Sequence, residues 1–371
     1  MKLTRLSGIS ALGAIAALTL AGCAANEGPA GNSNGNDSAE TGNGSALTGT
    51  LSGIGASSMG AAQDAWTVGF QTIHDGVTVN YAPEGSGAGR ENFISGAADF
   101  AGSDRAFHLE EIADNDFGAC TSADIVEVPV YVSPVALAFN LPGIESLNMD
   151  PETIAAVFKG DIATWDDEQI AEQNDGVELP SLPITPVNRA DTSGTTETFA
   201  EYMASTAPDV WDFEVSGDWP IQGTESGQQT AGVRSAVESG EGTIGYLDAS
   251  QIPEGSGQVH VGVDGEYVPY SSDAASMLIE GSPLETGRGA ADLVFDVNPA
   301  AAPAGSYPIA LVSYAVACAT YADADKAELV KTYLEYVVSA EGQEAAAEYA
   351  GSAPLSDSLR ETVLGAISAI S

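Results

Sequence analysis

The sequence predicts an α/β fold, and two patterns carry that expectation. Apolar, β-rich runs alternate with helical segments along most of the chain, and short Gly/Ser turns stand where a strand hands over to a helix. The chain has 371 residues, 44% of them hydrophobic, enough to bury a sizeable core and of a length for about two domains.

The elements follow in order. "LTGTLSGIGASS" runs as a strand into a turn, and "MGAAQDAWTVGFQTIHD" reads as a helix. "VTVNYAPEGSGAG" repeats that order, with "RENFISG" as the short helix that follows. "DIVEVPVYVSPVALAFNL" alternates at first and then becomes continuously apolar, and its Val, Ile and Tyr content predicts buried strands. "DPETIAAVFKG" has an Asp-Pro helix start, and "TWDDEQIAEQN" a further start with Thr164 as the candidate cap. "LPITPVNRA" is a strand leading to "TTETFAEYMAST", a helix; "TAGVRSAVESG" is helical and "GTIGYLDAS" a strand. "ADKAELVKTYLEYVVSAEGQEAAAEYA" reads as one long helix with Leu329, Tyr333 and Val337 on a single face. No internal repeat at a fixed period is found.

The N-terminus has its own logic. "MKLTR" supplies two positive charges before the apolar run "LSGISALGAIAALTLA", which has the layout of a secretory signal over residues 1–22. Ala21 and Gly22 before Cys23 resemble a bacterial lipobox, which implies cleavage before Cys23 and lipid attachment to its sulfur. Residues 23–46 are full of Gly, Asn and Ser, and such a segment buries too little surface to order itself, so a flexible tether is expected. Export places Cys120 and Cys318 where a disulfide can form, with two separate buried thiols as the alternative.

Charge excludes one class of partner. The 53 acidic residues against 11 Lys plus Arg give a net charge of −42, whereas nucleic-acid binding needs a basic face. Against that background three Gly/Ser turns stand out: "GIGASS" at 53–58, "EGSGAG" at 84–89 and "DTSGTT" at 191–196, the last just after Arg189. Each should present backbone N–H groups and hydroxyls at a helix start, an arrangement suited to an anion. Any one of them alone is ordinary capping.

Taken together and in order, "GIGASS", "EGSGAG", "DFAGSD", "FKGDIATWDD" and "NRADTSGTT" resemble the phosphate-binding lipoproteins of bacterial phosphate ABC importers, over roughly residues 49–355. The resemblance implies a periplasmic-binding-protein-like fold of two α/β lobes joined by a hinge, with the ligand cleft between them. Lobe 1 would take residues 47–135 plus 313–371, and lobe 2 residues 136–312, with crossings near "SPVALAFN" and "YPIALVSY". It further implies phosphate-binding roles for Ser57, Ser58, Ser86, Asp104, Arg189, Ser193, Gly194 and Thr195, with Asp191 as the ion-pair partner of Arg189. Partners would be inorganic phosphate, the permease subunits and, through the lipid anchor, the outer face of the cell membrane. No cofactor or metal is implied. Two stretches depart from the family pattern. Ser58 stands where relatives often have a bulkier residue, so only its backbone N–H carries over, and "QGTESGQQTAGV" is longer and more polar than the usual turn.

An enzyme is the rival class, such as a surface phosphatase. However, no G-x-S-x-G occurs, and His74, His108 and His260 lie in no recognisable catalytic setting. "GEGTIG" at 240–245 follows a helix and enters a strand, the reverse of the dinucleotide-binding order. "DADKAE" near 323–328 is an acidic helix start rather than a calcium loop. Another tetrahedral oxyanion, arsenate or a phosphonate, is the alternative ligand.

Overall fold

The computed structural model describes residues 47–371; the expected signal segment 1–22, Cys23 and the tether 23–46 lie outside the described residues. The chain opens with β1 (Gly49–Gly55), α1 (Gly60–Ile73), β2 (Val77–Ala82), α2 (Ser86–Ser95), β3 (Phe100–Ser103) and α3 (Leu109–Asp114). Next come β4 (Ile125–Phe139), β5 (Ser146–Met149), α4 (Pro151–Lys159), α5 (Glu168–Ala171), β6 (Thr185–Arg189), α6 (Gly194–Thr206), β7 (Glu225–Gly227), α7 (Gln229–Ser239) and β8 (Thr243–Asp248). Then follow β9 (Gly257–Val263), β10 (Glu266–Val268), α8 (Ser272–Gly281), β11 (Ala310–Cys318), α9 (Ala324–Val337), α10 (Ala340–Ala350) and α11 (Asp357–Ile367). No helix among the described residues is long and apolar enough to cross a membrane.

The strands run in the order β2-β1-β3-β11-β4-β8-β6-β7, with β9 pairing β4, β5 and β10. β1 is parallel to β2 and β3, and β6 is parallel to β8 and β7; β11 and β4 lie antiparallel at the centre. All fifteen residues of β4 and all nine of β11 are buried, the burial that continuous apolar runs produce. Two prolines shape β4. At Pro129 the ladder to β11 slips, so that Ser313 faces Tyr131 while Tyr314 faces Pro129, and a residue without an N–H is suited to such a bulge. At Pro134 the pairing with β11 ends, and from Val135 onward the strand pairs with β8. Val135 also donates to Ile309 O at 2.8 Å, so β4 stays beside the segment leading into β11 where it turns to β8. Cys120 and Cys318 are joined by a disulfide with Cα atoms 5.2 Å apart, which ties the end of β11 to the loop before β4.

Three local expectations are corrected. The helix expected from Arg90 starts at Ser86, so most of "GSGAG" is its first turn, and only Gly85 before it adopts a positive φ of 102°. The short α5 is capped by Asp167, which accepts from Gln169 N, while Thr164 is drawn into a β-bridge with Pro183. The long C-terminal helix is two: α9 ends at Val337, and Ser339 caps α10 by accepting from Gly342 N at 3.0 Å. Leu329, Tyr333 and Val337 are nevertheless all buried, as their common face requires.

Opposite Val135, where β4 begins to pair with β8, lies a buried carboxyl, Asp248, at the end of β8. It accepts from Tyr131 Oη at 3.1 Å, from Ser250 N at 2.9 Å and from Ser250 Oγ at 2.5 Å. Burial pushes its carboxyl up to about 6, against the pull of these hydrogen bonds. The unfolded chain releases this proton near pH ~3.9, so between there and the folded value the native state binds more protons and stability falls as pH rises. Below the unfolded value this contribution is complete, and above the folded one it is lost. Two pK units correspond to about 3 kcal/mol. Asp248→Asn should therefore gain stability relative to the parent by about that amount as pH rises from ~4 to ~7. Urea unfolding at each pH checks this, and parallel pH profiles for the two proteins would contradict it.

Candidate functional site

Within each parallel set, β1–β2–β3 and β6–β7–β8, the strands end together and the helices that follow them start there. The two sets run in opposite senses, and their C-terminal ends meet, as the Asp104–Thr195 and Ser57–Thr230 bonds show. The β1–α1 turn brings Ser57 and Ser58, α2 brings Ser86, the end of β3 brings Asp104, and the β6–α6 turn brings the segment from Arg189 to Thr195. The crevice outside the C-terminal ends of strands is where an open α/β sheet offers N–H groups to a ligand.

Asp104 joins these segments. Its Oδ1 accepts from Ser58 Oγ at 2.6 Å and from Ser313 Oγ at 2.8 Å, and its Oδ2 accepts from Thr195 Oγ1 at 2.9 Å. All four residues are buried. Gly194 makes the approach possible. A Cβ at that position would stand 2.5 Å from Asp104 Cβ and 2.9 Å from Ser86 Oγ, closer than real atoms come.

The remaining hydroxyls are arranged in the opposite sense. Ser86 Oγ accepts from Asp104 N at 3.1 Å, Ser193 Oγ caps α6 by accepting from Thr196 N at 3.2 Å, and Ser57 Oγ accepts from Thr230 N at 3.1 Å. A hydroxyl that accepts an N–H keeps its own proton for another acceptor. Ser57 Oγ also lies 2.9 Å from Thr230 Oγ1, and with Thr230 as the donor of that contact Ser57 keeps its own proton. Gly194 and Thr195 open α6, so their backbone N–H groups have no intrahelical acceptor.

Arg189 is buried and held by Asp191, which accepts from its Nε at 2.9 Å and from Nη2 in a second, short contact. Asp191 also accepts from Gln229 N at 2.8 Å, where Gln229 takes a left-handed φ of 58°. Nη1 of Arg189 makes no protein hydrogen bond among the described residues. The Arg189 N–H donates to Tyr246 Oη at 3.1 Å, and burial raises that hydroxyl to about 12, so it stays protonated. Gly85 lets the second turn come close: a Cβ there would lie 2.5 Å from Asp191 Oδ2.

The sequence reading missed Ser313, Thr230 and Gln229. The last two belong to the polar stretch that departed from the family pattern, and they put the start of α7 against Ser57 and Asp191. Ser313 had one visible signal, a lone serine within the apolar run "ALVSYAVAC". Next to Asp104 opens a pocket of about 350 Å³, bounded in part by Arg105, His108, Glu197 and Tyr314. Arg105 spans it, donating from Nε to Glu197 at 3.0 Å and from Nη2 to Glu111 at 2.9 Å. Burial alone would raise the Glu111 carboxyl, but Arg105 holds it down at about 2. Among the described residues no cluster of His, Cys, Asp and Glu could hold a metal.

This crevice at the ends of a mixed sheet, rimmed by helix starts, is the plan of a substrate-binding protein. The model of the PBP superfamily domain matches residues 39–341. Curated relatives sharpen the class. Phosphate-binding protein PstS 3 of Mycobacterium leprae is 33% identical over 326 residues, covering 86% of this chain and 87% of that one. Phosphate-binding protein PstS 3 of Mycobacterium tuberculosis is 29% identical over 387 residues, with both chains covered completely. A phosphate-binding protein from Stenotrophomonas maltophilia shares the fold with a TM-score of 0.67 at 19% identity, over 86% of this chain and 94% of its own. The chain belongs to the PstS family of phosphate-binding proteins within the PBP superfamily.

Gly194→Ala should separate the start of α6 from Asp104 and cost about 1–3 kcal/mol through overpacking. Thermal unfolding checks this, and an unchanged midpoint would contradict the close approach.

Proposed function

We propose that this chain binds inorganic phosphate outside the cytoplasm and delivers it to the permease subunits of an ABC importer. One observation carries the reading: in a PstS-family chain, a buried carboxylate, Asp104, stands among helix starts and hydroxyls otherwise arranged to donate. The donors bind the anion's oxygens. Arg189 contributes its Nη1 side, oriented by Asp191, and Ser57, Ser86 and Ser193 contribute hydroxyl protons. Gly194, Thr195 and Ser58 act through backbone N–H groups, since the side chains of Ser58 and Thr195 are already engaged with Asp104.

Asp104 supplies selectivity. Phosphate near neutral pH retains an O–H that an acceptor can take, whereas sulfate has none and would set its lone pairs against the carboxylate. Mismatching a buried charged group costs upwards of about 3 kcal/mol.

Residues 47–135 plus 313–371 form one lobe and residues 136–312 the other, with the crossings in β4 and in the run 307–314 that leads into β11. Contacts between Ser57 and Thr230, Asp104 and Thr195, and Arg105 and Glu197 then represent the closed arrangement around the ligand. Cys23 carries the lipid that holds the protein at the membrane surface.

Isothermal titration tests the reading. Phosphate should bind at least about 100-fold more tightly than sulfate, and Arg189→Ala should weaken phosphate binding more than Asp104→Asn does. Comparable sulfate affinity, or the reverse order of the two variants, would contradict it.

A further inference from the structure

Ser313 lies 209 residues from Asp104 in sequence, yet directly across the sheet from it. β11 is antiparallel to β3 with Tyr314 opposite Ser103, so continuing that register by one residue places Ser313 opposite Asp104. Ser313 is fully buried, and its Oγ donates to Asp104 Oδ1 at 2.8 Å. On the other side of β11 the slip at Pro129 leaves Ser313 facing Tyr131, so its place in the sheet is set from both neighbours.

The lone pairs of Asp104 can be counted. An ionised carboxylate offers about four acceptor positions, two on each oxygen. Ser58 and Ser313 occupy both on Oδ1, and Thr195 occupies one on Oδ2. One acceptor position remains, on Oδ2, the oxygen nearer the start of α6 as judged by its Thr195 bond. The three hydroxyls also fix the plane of the carboxylate, because each bond comes from a different segment of the chain.

We propose that Ser313 is a positioning residue for phosphate recognition: with Ser58 it saturates Oδ1 of Asp104, leaving Oδ2 as the single acceptor for a ligand proton. This rests on the reading of the site as a phosphate site. Ser313 acts through Asp104 alone, and its hydroxyl serves no ligand oxygen. Without it the carboxylate can turn about its χ2 torsion, and its one well-placed acceptor is lost from the position where the ligand O–H arrives. Ser58, on the same oxygen, belongs to the segment that also presents backbone N–H groups to the anion, so its removal mixes two effects. Ser313 comes from the opposite side and separates them.

A double-mutant cycle tests the proposal, by calorimetric titration of the full chain with inorganic phosphate for the parent, Ser313→Ala, Asp104→Asn and the pair. Ser313→Ala should weaken binding about tenfold in the parent and less than about twofold in the Asp104→Asn background. Unfolding without phosphate should show Ser313→Ala folded but less stable than the parent, because a buried carboxylate loses one of its donors, so the binding cycle rather than stability decides the role. An equal loss in both backgrounds would make Ser313 a structural residue and overturn the proposal, as would binding by Ser313→Ala indistinguishable from the parent. No phosphate binding by the parent would instead overturn the functional reading on which the proposal stands.

Discussion

One buried carboxylate organises the candidate site. Asp104 takes hydroxyl protons from residues 46, 91 and 209 positions away in sequence, so the site exists only once the β1–α1 turn, α6 and β11 have all arrived. Taking a carboxylate out of water is costly unless each lone pair finds a donor, and these hydroxyls meet most of that requirement. The same bonds determine the local sequence. Gly194 must be glycine for the start of α6 to reach Asp104, and Ser313 must stand one residue beyond the β3–β11 ladder.

The electrostatics of the site do not depend on excess positive charge. Arg189 is already balanced by Asp191, and Asp104 adds a negative charge, in a chain whose net charge is −42. In the proposed site an anion would be favoured by fixed dipoles, namely helix starts with unpaired N–H groups and the Ser86 and Ser193 hydroxyls, which accept N–H groups and keep their own protons. Surface acids act through solvent with a screening length of about 8 Å, so they reach the buried groups around Asp104 and Arg189 weakly. Hydrogen bonds to a charged ligand contribute roughly 1.5–3 kcal/mol each, and several of them outweigh that residual field. A global charge of this sign slows the approach of an anion more than it weakens the bound state.

Much of this was legible in sequence because it is local. Strand–turn–helix order gave the α/β class, and the turns near 57, 86 and 193 together with Arg189 and Asp191 fell within short motifs that the fold brings together. What stayed hidden was non-local or decided by competition between caps. Ser313 looked like part of an apolar crossing strand, since its meaning depends on a cross-strand register that no single segment encodes. Thr230 and Gln229 lay in a polar stretch with no familiar pattern, and only the folded chain sets them against Ser57 and Asp191. The break between α9 and α10 turned on Ser339 capping a new helix within an otherwise helical composition. At α5, Asp167 displaced Thr164 because the latter was taken into a bridge with Pro183.

Selectivity through Asp104 depends on where protons sit, which neutron diffraction from crystals grown with phosphate in deuterated solvent makes visible. A deuteron on a phosphate oxygen donated to Asp104 Oδ2 is expected, with the hydroxyl deuterons of Ser58, Ser313 and Thr195 all pointing at the carboxylate. A deuteron carried by Asp104 itself would rule out Asp104 as the acceptor of the ligand's proton, and a Ser313 hydroxyl turned away from it would rule out Ser313 as its positioning residue.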